Sequence, residues 1–192
     1  GHNGQLGHGD HSTRDRPTAV ASTALVAKQI AAGYSGTLVI DADDANWITG
    51  SLRLSGGPSS ATFTRVQFPD TPGLPPLRFV QVSCTSEHVL ALTTDGGLFS
   101  WGMGAGGQLG HGSTEDNDVP QLLQTLKGVP IASAKAGTTT SLALARSGEM
   151  WSWGKGLALG HRGDADSEQL LPKVIEGLPP NASILRIAAG GQ

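Results

Sequence analysis

Apolar residues in this chain come in short runs, separated by turns rich in glycine, proline and acidic residues. In His88–Thr93, an extended backbone puts Val89, Ala91 and Thr93 on one side and Leu90 and Leu92 on the other. Two largely apolar sides predict a strand covered on both faces. Phe79–Val82, Leu98–Trp101 and Gln121–Leu126 flank it, so this stretch predicts four short strands. Sheets stacked face to face supply the environment such strands need.

The pattern returns along the chain. Leu38, Leu90 and Leu142 are spaced by 52, as are Ile40, Leu92 and Leu144, and Gly50, Gly102 and Gly154. The short polar pairs Asp43-Asp44, Asp95-Gly96 and Ser147-Gly148 fall in the same phase and suit turns between antiparallel strands. Pro17, Pro69, Pro120 and Pro172 step by 52, 51 and 52. Trp47, Trp101 and Trp153 are read as ending corresponding strands. Gly4-Gln5-Leu6-Gly7-His8-Gly9 recurs as Gly107–Gly112 and in part as Leu159-Gly160-His161, so Gly7, Gly110 and Gly160 share one repeat position. Four-stranded units of ~40–50 residues repeated about an axis are the blades of a β-propeller.

The expected fold is therefore all-β, with repeat units over 1–50, 51–102, 103–154 and 155–192 that make about three and a half blades. Two stretches fit less well. Ala19–Ile30 has the propensity for a short helix, but its place in the repeat matches a loop and a strand. Pro58–Leu77, with its prolines, reads as a long surface loop.

Composition narrows the function classes. Lys and Arg total 13 against 16 Asp and Glu, a formal charge of -3, which gives no overall drive toward nucleic acid or an anionic membrane. Cys84 is the only cysteine, so an intrachain disulfide and a cysteine zinc site are excluded; its neighbours suggest a small buried strand residue. No apolar run approaches the ~20 residues of a membrane helix. No targeting segment is legible, and an intracellular site is the working expectation.

The chemistry-bearing residues read mostly as structural. His2, His8, His11, His111 and His161 sit in glycine turns of different units, which a rotation about the axis would separate, so no metal site is expected. Gly102–Gly107 echoes a phosphate-binding loop, but no helix follows it, and no cofactor is expected. The repeated tryptophans suit packing between blades; exposed on a propeller face, they would instead be binding anchors. Glu115, Asp116 and Asp118 lie in a loop equivalent to that of Asp164, Asp166 and Glu168. They read as solvated loops and as candidate docking loops for a basic protein surface. No nucleophilic triad is visible, so no catalytic residue is expected.

Leu98–Gly102, Gly107–Gly112, Pro120 and the run Ala136-Gly137, Leu142–Leu144, Gly148 resemble repeats of the regulator of chromosome condensation type. The resemblance is densest over 80–160, and Ser55–Ser60 stands where a Gly-Gln-Leu-Gly segment is expected. It implies a seven-bladed propeller, which needs roughly 360 residues. The expectation is thus of a fragment, with the remaining blades supplied by another segment. The first functional expectation is a non-catalytic protein–protein interaction scaffold within a larger assembly. The resemblance implies a second, guanine-nucleotide exchange on a small Ras-like GTPase, with Pro58–Leu77 as the candidate wedge. A third is the propeller region of a multidomain protein such as a ubiquitin ligase.

Overall fold

The computed structural model describes residues 1–21, 25–51, 60–66, 77–161, 168–179 and 184–190. They form three four-stranded antiparallel sheets, each with its strands in sequence order. The first holds β1 (Ala27–Ala32), β2 (Gly36–Asp41), β3 (Asn46–Gly50) and β4 (Ser60–Val66). The second holds β5 (Phe79–Cys84), β6 (His88–Thr93), β7 (Leu98–Gly102) and β8 (Asn117–Leu122). The third holds β9 (Ile131–Ala136), β10 (Thr140–Ala145), β11 (Met150–Lys155) and β12 (Glu168–Val174). The pairs Gly36–Gly50, His88–Gly102 and Thr140–Gly154 recur at the same register, so the 52-residue spacing is a spacing of whole sheets. This is the expected all-β architecture, the arc of a β-propeller.

The sheets stack face to face, with β5 beside both β1 and β9. All of β6 is buried. Its Val89 and Ala91 join Leu38, Ile40, Val82 and Trp101 in a core between the first two sheets. Its Leu90 and Leu92 join Leu98, Ile131, Ala134 and Trp153 in a core between the second and third. Apolar positions on alternate sides of one strand thus feed two cores. Units counted from Gly1 end on third strands, at Gly50, Gly102 and Gly154. The units 51–102 and 103–154 therefore each combine the fourth strand of one sheet with the first three strands of the next.

Two expectations are corrected, and a third, a loop and a strand over Ala19–Ile30, holds where that stretch is described. The fourth strand of the second sheet is Asn117–Leu122, and Gln124–Leu126 is a 3-10 turn that buries Leu123 and Leu126. The apolar spacing of those two leucines belongs to the turn. The strand itself bulges opposite Trp101, which accommodates Pro120 on a sheet edge where an amide is dispensable. Pro58–Leu77 is no free loop, because Ser60–Val66 inside it is the outer strand of the first sheet; alternating Thr62, Thr64 and Val66 supply the strand propensity. Its flanks, 58–59 and 67–76, lie outside the described residues. Within Ala19–Ile30, residues Ala27–Ile30 belong to strand β1, pairing with β2 overriding helix propensity; 22–24 are outside the described residues.

Candidate interaction rim and the ties beneath it

Antiparallel order sorts the connections onto two rims. One carries the β1–β2, β5–β6 and β9–β10 links together with the long links from third to fourth strands. The glycine motif lies here. The other rim carries the hairpins around Asp43-Asp44, Asp95-Gly96 and Ser147-Gly148.

The motif of the second sheet is a pair of tight turns, closed by Gly107 N to Gly104 O (2.7 Å) and Gly110 N to Gly107 O (3.0 Å). The N-terminal copy repeats them, with Gly4 N to Gly1 O (2.8 Å) and Gly7 N to Gly4 O (3.1 Å). Each copy leans on the following sheet. The Gln108 carbonyl accepts hydrogen bonds from Trp153 Nε1 and Ser141 Oγ on the third sheet, both at 2.8 Å. On the first sheet Thr37 Oγ1 donates to Gln5 O (2.9 Å) and Thr49 Oγ1 to Gly4 O (2.8 Å). Gly110, with φ 76°, admits this approach: a Cβ there would lie 2.6 Å from Leu123 Cδ2 and 2.7 Å from Trp153 Nε1. Gly7 fits against Phe63 in the same way, and Gly160 lies beside Ile175.

Two histidines of the motif, His111 and His161, close their own turns. Ser100 Oγ donates to Leu109 O (2.7 Å), so the His111 Nε2 proton faces that hydroxyl at 2.9 Å. Burial holds the His111 pKa below its ordinary value. Ser152 repeats the arrangement with Leu159 O and with His161 at 2.9 Å. His88 is the most deeply placed, 1% exposed, with Nε2 2.7 Å from Ser141 Oγ. Ser141 gives its proton to Gln108 O, so His88 Nε2 must be the donor in this pair. Burial pushes the His88 pKa down to about 3 and the Cys84 thiol up to about 12.

Gly50, Gly102 and Gly154 end the third strands where the neighbouring link passes. A Cβ on them would lie 2.3, 2.3 and 2.2 Å from the carbonyl oxygens of Ser35, Glu87 and Thr139. Trp101 and Trp153 occupy one repeat position, both fully buried. Trp47 does not share it. Register pairs Trp47 with Val39, as it pairs Phe99 with Ala91 and Trp151 with Ala143; the counterpart of Trp101 is Thr49. The Thr49 hydroxyl replaces the indole as donor to the turn. Trp47 is instead half-buried on the opposite rim, its Nε1 2.7 Å from Asp41 Oδ2.

Among the described residues the acidic positions do not gather into one site. Glu115 and Asp118 are exposed, while Asp116 Oδ1 accepts from Gly104 N (2.9 Å). Glu168 Oε1 meets Lys155 Nζ at 3.1 Å, a half-exposed pair of small energetic weight. Asp164 and Asp166 lie outside the described residues. Among the described residues no group of three or more His, Cys, Asp or Glu is placed to hold a metal ion.

Two features escaped the sequence reading. Gln29 Oε1 accepts from Val82 N (3.2 Å), and Gln81 Oε1 from Ala134 N (2.8 Å), so a glutamine on β1 reaches β5 and one on β5 reaches β9. Two glutamines spaced by 52 on otherwise apolar strands were the available signal. The other is Tyr34, 79% exposed on the β1–β2 link. A lone aromatic in a polar turn carries no periodic mark.

The model of the "Regulator of chromosome condensation (RCC1) repeat" matches residues 95–144, and a second model of that description matches 79–108. The ultraviolet-B receptor UVR8 of Arabidopsis thaliana is 37% identical over 175 residues, 85% of this chain and 39% of its own length. The human E3 ubiquitin-protein ligase HERC2 is 34% identical over 99% of this chain, which amounts to 4% of that protein. The chain thus spans well under half of these relatives. Human WBSCR16 superposes with a TM-score of 0.82 and 24% identity, over 100% of this chain and 50% of that one. Prp20p of Saccharomyces cerevisiae superposes with a TM-score of 0.72 and 22% identity, over 86% and 42%. The periodic glycine turns, the stacked sheets and these matches agree: the chain is an RCC1-type repeat protein.

Proposed function

We propose that this chain is a non-catalytic docking module whose partner face is the rim bearing the glycine turns. One observation carries the reading. The residues of the motif that resemble active-site chemistry, Ser100, Gln108, His111, Ser141 and Ser152, all make hydrogen bonds within or between sheets. The same rim presents Tyr34, Ser86, Glu115 and Asp118 outward. Buried ties fix the rim, and exposed link residues are left to meet a partner. Tyr34 brings an aromatic anchor, and the acidic loop suits a basic protein surface.

The test is affinity capture by the full-length protein, with and without Tyr34→Ala and Glu115→Lys/Asp118→Lys. The reading expects a specific partner to be lost while the unfolding midpoint stays unchanged. An unaltered set of bound proteins would refute it.

A second reading, guanine-nucleotide exchange, is favoured by the structural match to Prp20p, whose binding to Gsp1p and histones was studied with its structure. Release of labelled GDP from a panel of small GTPases separates the two. Acceleration by catalytic amounts of the full-length protein would favour exchange, and its absence across the panel would favour docking alone.

A further inference from the structure

His88 is tied through one ring nitrogen, and that tie decides what the other can do. Its Nε2 lies 2.7 Å from Ser141 Oγ, and Ser141 gives its own proton to Gln108 O at 2.8 Å. The ring proton is therefore on Nε2, and in a neutral imidazole this makes Nδ1 an acceptor. His88 is 1% exposed, and its Nδ1 has no hydrogen-bond partner among the described residues. Leaving a buried acceptor bare is costly, and most such groups in folded proteins meet either protein or ordered water.

The same ring lines a small cavity under the β5–β6 link, walled by Thr85–Val89 together with Trp101 and Gly102. The space admits a group of about the size of one water and nothing larger. A held water also needs polar neighbours besides the imidazole. The lining offers the Ser86 hydroxyl, on an exposed residue, and the Glu87 carboxylate, whose Oε2 accepts from Gln108 Nε2 at 3.2 Å. Strand register limits the site to one sheet of the three. Gly36 and Thr140 hold the place of His88 in the other two, and Val89 holds that of Ser141 one sheet earlier. Neither glycine nor threonine brings a ring nitrogen.

We infer that this cavity is a binding site for a single water, which donates to His88 Nδ1. The water heads a chain in which every donor points the same way: water to His88, His88 to Ser141, and Ser141 to the Gln108 carbonyl. The chain starts under the β5–β6 link, crosses into the third sheet and ends on the glycine turn. Its consequence for docking rests on the rim reading above. Ser86 and Glu87 are presented on a link fixed from beneath, so less freedom is lost when a partner meets them.

Nuclear magnetic resonance of the folded full-length protein, with 15N-labelled histidine, tests the site at neutral pH. His88 should show the Nε2–H tautomer, with Nδ1 upfield of a bare acceptor nitrogen. Its Cε1 proton and the Val89 methyl groups should show cross-relaxation with water of the sign given by a held molecule. His88→Leu removes the acceptor, and in a folded variant the Val89 signal with water should be lost, because an apolar cavity stays dry. A protonated Nδ1 in the parent overturns the site, as does a bare Nδ1 without a water signal. A Val89 signal that persists in folded His88→Leu also overturns it, since the imidazole would not be what holds the water. If His88→Leu does not fold, the parent measurement alone decides. No partner enters the experiment, so the water site and the docking rim fail separately.

Discussion

Replacing Gly110 by alanine puts a methyl group where the turn meets the next sheet. Two costs follow from the geometry. The backbone there has φ 76°, a region where a Cβ costs roughly 1–2 kcal/mol. The new carbon would also sit 2.6 Å from Leu123 Cδ2 and 2.7 Å from Trp153 Nε1. Both neighbours are fully buried, and the indole is held on Gln108 O, so neither can retreat without opening the core. Overpacking of this kind adds about 1–3 kcal/mol, and a weakened indole hydrogen bond about 1 kcal/mol more. Gly128 is the control. Its φ is 83°, but nothing lies within 4 Å of a Cβ there, so only the backbone cost of about 1–2 kcal/mol applies. Urea unfolding of the full-length protein, followed by tryptophan fluorescence, should show a markedly larger midpoint loss for Gly110→Ala than for Gly128→Ala. Equal losses would mean that the close approach of turn to sheet is not what requires glycine.

Gln81→Leu removes the acceptor of the buried Ala134 amide and should cost about 1–3 kcal/mol in urea unfolding, against a smaller loss for Gln29→Leu, whose bond is longer. Glu115→Lys/Asp118→Lys touches only exposed side chains and should leave stability within about 0.5 kcal/mol, so a larger loss would give the loop a structural role. Acidification tests His88. Its pKa is about 3 in the fold, below the 6.5 of a free histidine, so the unfolded chain takes up the proton first. The stability this contributes is complete above pH 6.5 and is lost as pH falls toward 3; by pH 5 the loss is about 2 kcal/mol. His88→Gln should flatten the slope of unfolding free energy between pH 7 and 5, and a slope equal to the parent's would remove His88 from the buried network.

The architecture was legible because its cause is periodic. Leu90 and Leu92 alternate with Val89 and Ala91, and the same alternation returns at fixed spacing, so stacked sheets follow from the apolar pattern alone. The edges were harder to read. Pro120 lies inside the outer strand, just before the stretch from which that strand was predicted, and a bulge accommodates it. Ser60–Val66 was hidden by the prolines around it, although Thr62, Thr64 and Val66 alternate as a strand should. The candidate site was read least well. Matching by residue type aligned Trp47 with Trp101, although the 52-residue spacing, like the strand pairing, puts Thr49 in that place.

That misalignment points to how such repeats can drift without losing the fold. The repeat position of Trp153 and Thr49 donates to the turn in both sheets, but to neighbouring carbonyls: the Trp153 indole to Gln108 O, and the Thr49 hydroxyl to Gly4 O, one residue before the counterpart Gln5. What is preserved between sheets is the hydrogen bond, not the side chain that makes it. Where both members of a tie change to groups that cannot bond, as Gly36 and Val89 have, that tie is lost, while the apolar core and the Gln29 bond still join the two sheets among the described residues. A core tolerates this because burying apolar area stabilises independently of angle. The stability of a seam and its stiffness are therefore separate properties. Sequence drift at ties such as His88–Ser141 can therefore proceed while the sheets on either side stay folded and packed.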